Sequence, residues 1–431
     1  MDNQNICNIV SNPNSTFNDG NGVSLNGTWT NSGTVNFKIG TLTIDFSGKL
    51  TNTGILNFGV DAFRFENIIN SGILENQAGG TINIDEINPT GQNRPYWLHN
   101  LPTATFRNAG DILSVNELLN GGFPDTVIVN LGIMENQLGG NIELHHFDGI
   151  QVGIFNQNQL TNLGNIKIGI ANQSVVRGVV NKGTFRNESP ANLTIDNSTV
   201  NAILNDENAT FQNAAGDILI GQTVDIQQFG IVNEGRWESE VIGTLTPFII
   251  IETSSDDAIV NEATGEFFNA GDLRLGVNGT IGRGGIFNQG SFENLDRGDI
   301  RIENFGGNFP QPVNGGISNN GTFSNVGKIT IKESQNGYSG LLNRAAATFT
   351  NLPCGKFSSD LFIENIGNII NNGFWESLRT FPSHSNTGTF TNNGLLEDPF
   401  DSFGGLGDLL DENELVNNGI IARPVSAEDD D

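Results

Sequence analysis

Few residues in this chain are spaced to do chemistry. His145 and His146, flanked by Glu143 and Asp148, form the densest set of potential metal ligands. Successive side chains of a strand point to opposite faces, so two adjacent histidines cannot share one ion unless a loop turns them. His99 and His384 stand apart, and the spacing matches no zinc site, EF-hand loop or repeated calcium motif. Asp256 and Asp257 lie beside Ser254 and Ser255. Paired carboxylates can act as acid and base on a glycosidic bond, but no partner motif accompanies this pair, and a turn-forming acidic loop is the expectation. No nucleophile elbow, phosphate loop or dinucleotide fingerprint occurs in a strand-turn-helix setting. No catalytic, cofactor-binding or metal residue is therefore assigned. The expected cofactor content is none, with weak calcium binding by exposed acidic loops as the one allowance.

Charge narrows the partners. The sequence carries 48 Asp and Glu against 20 Lys and Arg, a net charge of −28. Nucleic acid is excluded as a partner, because it demands a cationic surface that displaces counterions. Anionic membranes are disfavoured for the same reason. The longest apolar cluster, Phe248 to Ile251, is far short of the ~18 residues of a membrane span, so no membrane insertion is expected. The first residues show neither the basic nor the apolar segment of a signal peptide. Either the chain is cytoplasmic or a leader precedes this numbering. Disorder does not fit, since hydrophobic residues make up 36% of the chain and Phe alone numbers 29.

The apolar residues are also periodic, and this organises the whole chain. GTFRNESPANLTI from Gly183, GSFENLDRGDIRI from Gly290 and GTFSNVGKITI from Gly321 share an aromatic residue and an Asn two residues later, then a Gly (Ala191 in the first) and an alternating apolar pair. Upstream stands G-[IVL]-x-N, as at Gly178, Gly230, Gly285, Gly316 and Gly340. The aromatic or apolar anchor recurs at Trp29, Leu50, Leu74, Phe106, Met134, Leu160, Phe185, Phe211, Trp237, Phe267, Phe292, Phe323, Phe349 and Trp375, with Phe390 and Leu415 following. Trp29 to Trp375 spans 346 residues in 13 intervals, a mean near 26.6. The step from Trp375 to Phe390 is only 15, an irregularity near the C-terminus.

Register sharpens the reading. The upstream Asn precedes the anchor by four residues at Asn181, Asn233, Asn288 and Asn319, and by six at Asn100, Asn205, Asn261 and Asn343. An even insertion keeps the anchor on one face of the strand, whereas an odd one turns it outward. Units this short cannot each enclose a core and must stack. The expected fold is all-β, a right-handed parallel β-helix (β-solenoid) of about 14–16 coils, with equivalent strands paired at ~4.8 Å. Propeller blades of ~40–50 residues fit the period poorly. Residues 1–26 are expected to form an N-terminal cap or lead-in, 27–396 the solenoid, and 397–431 a C-terminal cap, seen in Asp398 to Leu410, with an acidic tail.

The composition then has a use. Glycine, 55 residues, suits corners that need positive φ. Asn counts 63, and Asn162, Asn187, Asn213, Asn269, Asn294, Asn325 and Asn351 are placed to stack as an amide ladder. Cys7 and Cys354 fall about 12 coils apart, roughly 60 Å at the strand spacing, which rules out an internal disulfide. They are expected to be buried or free thiols, or to bridge copies head to tail.

The N-x-G-x-[FLIV]-x-N-x-x-G-x-[IL]-x-[IL] texture over residues 27 to 396 resembles the repeats of filamentous-haemagglutinin-like secreted bacterial adhesins. The resemblance implies a right-handed parallel β-helix exported to the extracellular space or cell surface. A parallel β-helix also raises a carbohydrate-active enzyme, a lyase or hydrolase. The galacturonase-type N-T-D, G-H-G and R-I-K signatures are missing, with Arg301-Ile302-Glu303 the nearest to the last. An ice-binding face would need a regular Thr array. The column Thr105, Thr184, Thr210, Ser291, Thr322, Thr348 and Thr389 is accompanied by Arg107, Arg186 and Glu293, which spoil it. Variable stretches at Glu86 to Tyr96, Gly243 to Asp257 and Asn304 to Gly315 fall at one phase of the repeat, where solenoids often bind ligands. The expected function is a non-enzymatic structural or adhesive solenoid, such as a filament subunit or surface adhesin segment. Its expected partners are a surface glycan or protein, or copies of itself end to end.

Overall fold

A computed structural model describes residues 5–6, 9–11, 15–17, 22–37, 41–58, 68–84, 96–114, 126–144, 150–169, 175–306, 315–332, 339–377, 385–397 and 415–422. The described residues are all-β, without a helix. They build a parallel β-solenoid with three strands to a coil. One coil shows how the repeat maps onto it. The G-I-x-N segment supplies Ile317–Asn319 to a first sheet, the aromatic segment supplies Thr322–Asn325 to a second, and the alternating pair supplies Lys328–Ile331 to a third. Each pairs in parallel with its equivalent in the next coil, Leu341–Asn343, Thr348–Asn351 and Lys356–Ser359.

The chain divides into two compact units, residues 1–219 with 223–226, and 220–222 with 227–431. Both are built this way. In the first unit, in-register pairing includes Asn5–Ile6, Ile9–Ser11 and Ser15–Phe17. In the second it reaches Leu415–Asn417 and Ile420–Ala422. Asp398 to Leu410 and the acidic tail lie outside the described residues.

The alternation expected from sequence holds. Second-sheet strands show a buried residue at the anchor and again two residues on, with half-buried residues between. In the second unit the anchors Trp237, Phe267, Phe292, Phe323 and Phe349 stack ring on ring, with centroid separations of 5.4, 4.6, 4.6 and 5.1 Å. Those spacings are the strand spacing itself, so pairing the backbones places the rings in offset contact. Phe185 and Phe211 do the same in the first unit at 4.6 Å.

One anchor was misplaced by spacing alone. Trp375 belongs to the third sheet, where it pairs with Phe357. The second-sheet residue of that coil is Ile369, which pairs with Phe349 on one side and Phe390 on the other. The apparent 15-residue irregularity is thus a pair of short coils of 20 and 21 residues read one column over. Leu415 does follow Phe390 in register.

The glycines need a second correction. Many corner glycines have ordinary φ and are required by close approach. A Cβ on Gly321 would lie 2.1 Å from the Gly290 carbonyl oxygen of the preceding coil. Positive φ is needed at other corners, such as Gly79 and Gly139, both at +83°.

Candidate interaction surface

The interior is lined by carboxamides as well as rings. In the first unit Asn31, Asn52, Asn76, Asn108, Asn136, Asn162, Asn187 and Asn213 form an unbroken second-sheet ladder, each Nδ2 donating to the Oδ1 of the next at 2.8–3.0 Å. In the second unit the ladder runs from Asn269 through Asn294, Asn325, Asn351, Asn371 and Asn392 to Asn417. All seven columns proposed from sequence are in these ladders. Ser239, paired opposite Asn269, takes the Asn position in its own coil.

A second ladder at the end of the first sheet escaped the sequence reading. It joins Asn70, Asn100, Asn130, Asn156, Asn181 and Asn205 in the first unit. Asn233, Asn261, Asn288, Asn319, Asn343, Asn365 and Asn386 form it in the second. Its signal was present as the upstream Asn used above for register. Both ladders exist because each strand ends where the chain turns, leaving corner carbonyls that need donors. Asn187, for example, gives its remaining amide hydrogen to the Asp217 carbonyl.

The outward faces differ in chemistry. The second sheet carries coil-to-coil ion pairs, including Lys49–Glu75 at 2.8 Å and Arg107–Glu135 at 2.9 Å. Third-sheet Glu143 pairs with Lys167 at 2.8 Å. It is the one described member of the sequence's metal cluster, since His145, His146 and Asp148 lie outside the described residues. No group of three potential metal ligands is found among the described residues. His99 projects from the first sheet against the Tyr96 ring, 4.2 Å between centroids, and burial lowers its pKa below the usual imidazole value. Burial likewise raises the Asp217 carboxyl. His384 and Cys7 lie outside the described residues, whereas Cys354 is an exposed free thiol.

Between the third and first sheets of the second unit, the described connecting residues pair from coil to coil, while residues 307–314 of one variable stretch and 86–95 of another lie outside the described residues. Ser254, Ile281 and Phe305 bridge in parallel from coil to coil, and Ile281 and Phe305 are fully buried. Asp256 and Asp257 sit here. Arg283 approaches them at 3.1 and 3.8 Å, Asp256 accepts from the Asp257 amide, and Asp257 is only 1% exposed. This geometry ties the carboxylates to the loop ladder. Nearby, buried Glu252 accepts from the Asn278 amide and side chain and from the Gly279 amide, knitting adjacent coils together. Arg301 pairs with Glu303 within its own strand end. The Thr column is real but broken, since Arg236, Glu266 and Asn368 share it in the second unit.

One open groove of about 440 Å³ indents the corner between the first and second sheets of the second unit. Its origin lies in corner length. Asn261 to Phe267 and Asn343 to Phe349 are six-residue corners that stand proud, with Ala263, Thr264, Ala345 and Ala346 exposed. The two coils between them have four-residue corners, and Gly290 and Gly321 form the floor.

No protein-family model, curated protein or solved structure matches this chain. The architecture is that of parallel β-helix repeat proteins.

Proposed function

We propose that this chain is a non-enzymatic structural and adhesive β-solenoid, acting outside the cell or at its surface. Its work is geometric: a stiff stack of coils spaces and presents side chains on its corners. The observation that supports this best is the use made of its polar groups. The buried carboxamides satisfy one another and the corner carbonyls from coil to coil. The one paired-carboxylate motif weighed for acid–base chemistry is tied into its loop by Arg283, whose single positive charge faces both carboxylates. Stiffness follows, because each carboxamide inside these columns then donates to a fixed acceptor in the next coil. The texture shared with filamentous-haemagglutinin-like repeats supports the extracellular setting, and the net charge of −28 suits a soluble surface that avoids polyanions. Surface glycans or proteins are the partners that fit, and end-to-end association into filaments is compatible with the repeat.

The test is a paired assay. The purified chain is incubated with insoluble polysaccharides and with whole cells. Retention on the surface and the release of reducing or unsaturated sugar are measured together. Retention without product release is expected. Product release that disappears in Asp257→Ala would replace this reading with a carbohydrate-active enzyme.

A further inference from the structure

The groove of the second unit deepens the adhesive reading and rests on it. We propose that this trough is a binding site for a neutral oligosaccharide chain, lying across the two short corners between the walls at Ala263–Thr264 and Ala345–Ala346. Four consecutive coils read long, short, short, long in the Asn-to-anchor distance. Three strand spacings therefore separate the walls, about 14 Å, room for one extended chain of small rings.

The lining selects the chemistry. The floor cannot be raised by side chains. A Cβ on Gly290 would lie 2.2 Å from the Gly265 oxygen, and one on Gly321 would lie 2.1 Å from the Gly290 oxygen. The backbone amides flanking the two floor glycines are already spent. Gln289 and Ser291 donate to the Asn261 and Gly265 carbonyls, and Thr322 donates to that of Gly290. A peptide strand seeking an unpaired sheet edge finds none here. What remains on offer is side-chain oxygen. The hydroxyls of Ser291 and Thr322 have no hydrogen-bond partner among the described residues. Gln289 Nε2 donates to Glu262 Oε2 at 2.7 Å, which fixes the carboxamide oxygen and the second carboxylate oxygen as an adjacent pair of acceptors. Adjacent acceptors beside free hydroxyls complement vicinal hydroxyl groups, each of which can donate and accept. No Lys or Arg lines the trough, and while Glu266 is paired with Arg236 at 2.8 Å, Glu262 has no cation beside it among the described residues, so acidic sugars are repelled.

The experiment titrates the full chain with cellohexaose, maltohexaose, xylohexaose and mannohexaose, with hexagalacturonate as the acidic comparison, by calorimetry. At least one neutral hexamer should bind with a Kd of about 1 mM or tighter. Thr322→Trp, which fills the trough from an exposed position, and Gln289→Ala, which removes the acceptor pair, should each weaken binding at least about tenfold. Circular dichroism confirms that both variants fold. Should the tryptophan variant misfold, the alanine variant reads the same site. The proposal is overturned if no neutral hexamer binds, if hexagalacturonate binds as well as the neutral sugars, or if both variants bind like wild type. In that last case the adhesive reading stands while the site falls. A chain that adheres to no polysaccharide or cell surface removes the reading itself.

Discussion

Asn187 shows what the asparagines contribute singly. It accepts from Asn162, donates to Asn213 at 3.0 Å, and donates its other hydrogen to the Asp217 carbonyl at 3.2 Å. The amide orientation is fixed by these partners, because a flipped carboxamide would set oxygen against oxygen. Asn187→Ala leaves the Asn162 donor, the Asn213 acceptor and a corner carbonyl unpaired in a buried column. Each orphaned group costs about 1–3 kcal/mol, so chemical denaturation should show a loss of at least about 2 kcal/mol. A loss under half that would mean water enters the column freely. Cys354 makes the opposite case. It holds φ of +74° at the corner position that Gly79 and Gly139 occupy in other coils, and it is exposed. A left-handed conformation costs a non-glycine residue about 1–2 kcal/mol. Cys354→Gly should therefore add about 0.5–1 kcal/mol of stability once glycine's larger unfolded-state entropy is deducted, read as a higher denaturation midpoint. A lowered midpoint would show that the thiol makes a stabilising contact.

At the scale of the element, parity governs what the chain tolerates. The corner from Asn205 to Phe211 is six residues long, with Asn208 at φ of +66°, and the equivalent corner from Asn181 to Phe185 is four. Deleting Glu207 and Asn208 together should convert one corner into the other with a small loss of stability. Deleting Asn208 alone should shift Phe211 and Asn213 outward, a loss of several buried side chains at about 1.5–3 kcal/mol each. Thermal melts of the two deletions side by side check this, and equal melting temperatures would refute the parity rule. That rule is why the fold was legible in the sequence. Alternation, stacking and the first ladder all follow from side chains that must face inward in every coil. Trp375 was misread because spacing gives a column only modulo the coil length, and a pair of short coils of 20 and 21 residues brought a third-sheet residue into apparent phase. Asn213 to Ile218 is an odd, five-residue connection. It is permitted because Ala215, at φ of +57°, resets the alternation. The groove was beyond reach for another reason. The four- and six-residue corners were visible one by one, but the relief they create needs knowledge of which coils are neighbours.

For the molecule as a whole, charge sets the response to solution conditions. Ion pairs such as Arg236–Glu266 and Lys328–Asp299 join adjacent coils. They are solvent-exposed pairs, each worth about 0–1 kcal/mol. Against them stand 48 acidic residues and 20 basic ones, so even complete pairing would leave 28 carboxylates repelling one another. Screening acts on both terms, with a Debye length near 30 Å at 0.01 M salt and about 8 Å at 0.15 M. Pairs at contact distance lose little over that range, whereas repulsion among carboxylates several coils apart is largely removed. Raising the salt should therefore raise the melting temperature, and by more for a chain with added Glu on the outward second-sheet column than for wild type. Differential scanning calorimetry from 0.01 to 0.15 M sodium chloride decides the matter. A melting temperature that falls with salt would mean that the coil-to-coil ion pairs outweigh the net repulsion, and that the stack is held at its surface as much as by its rings and carboxamides.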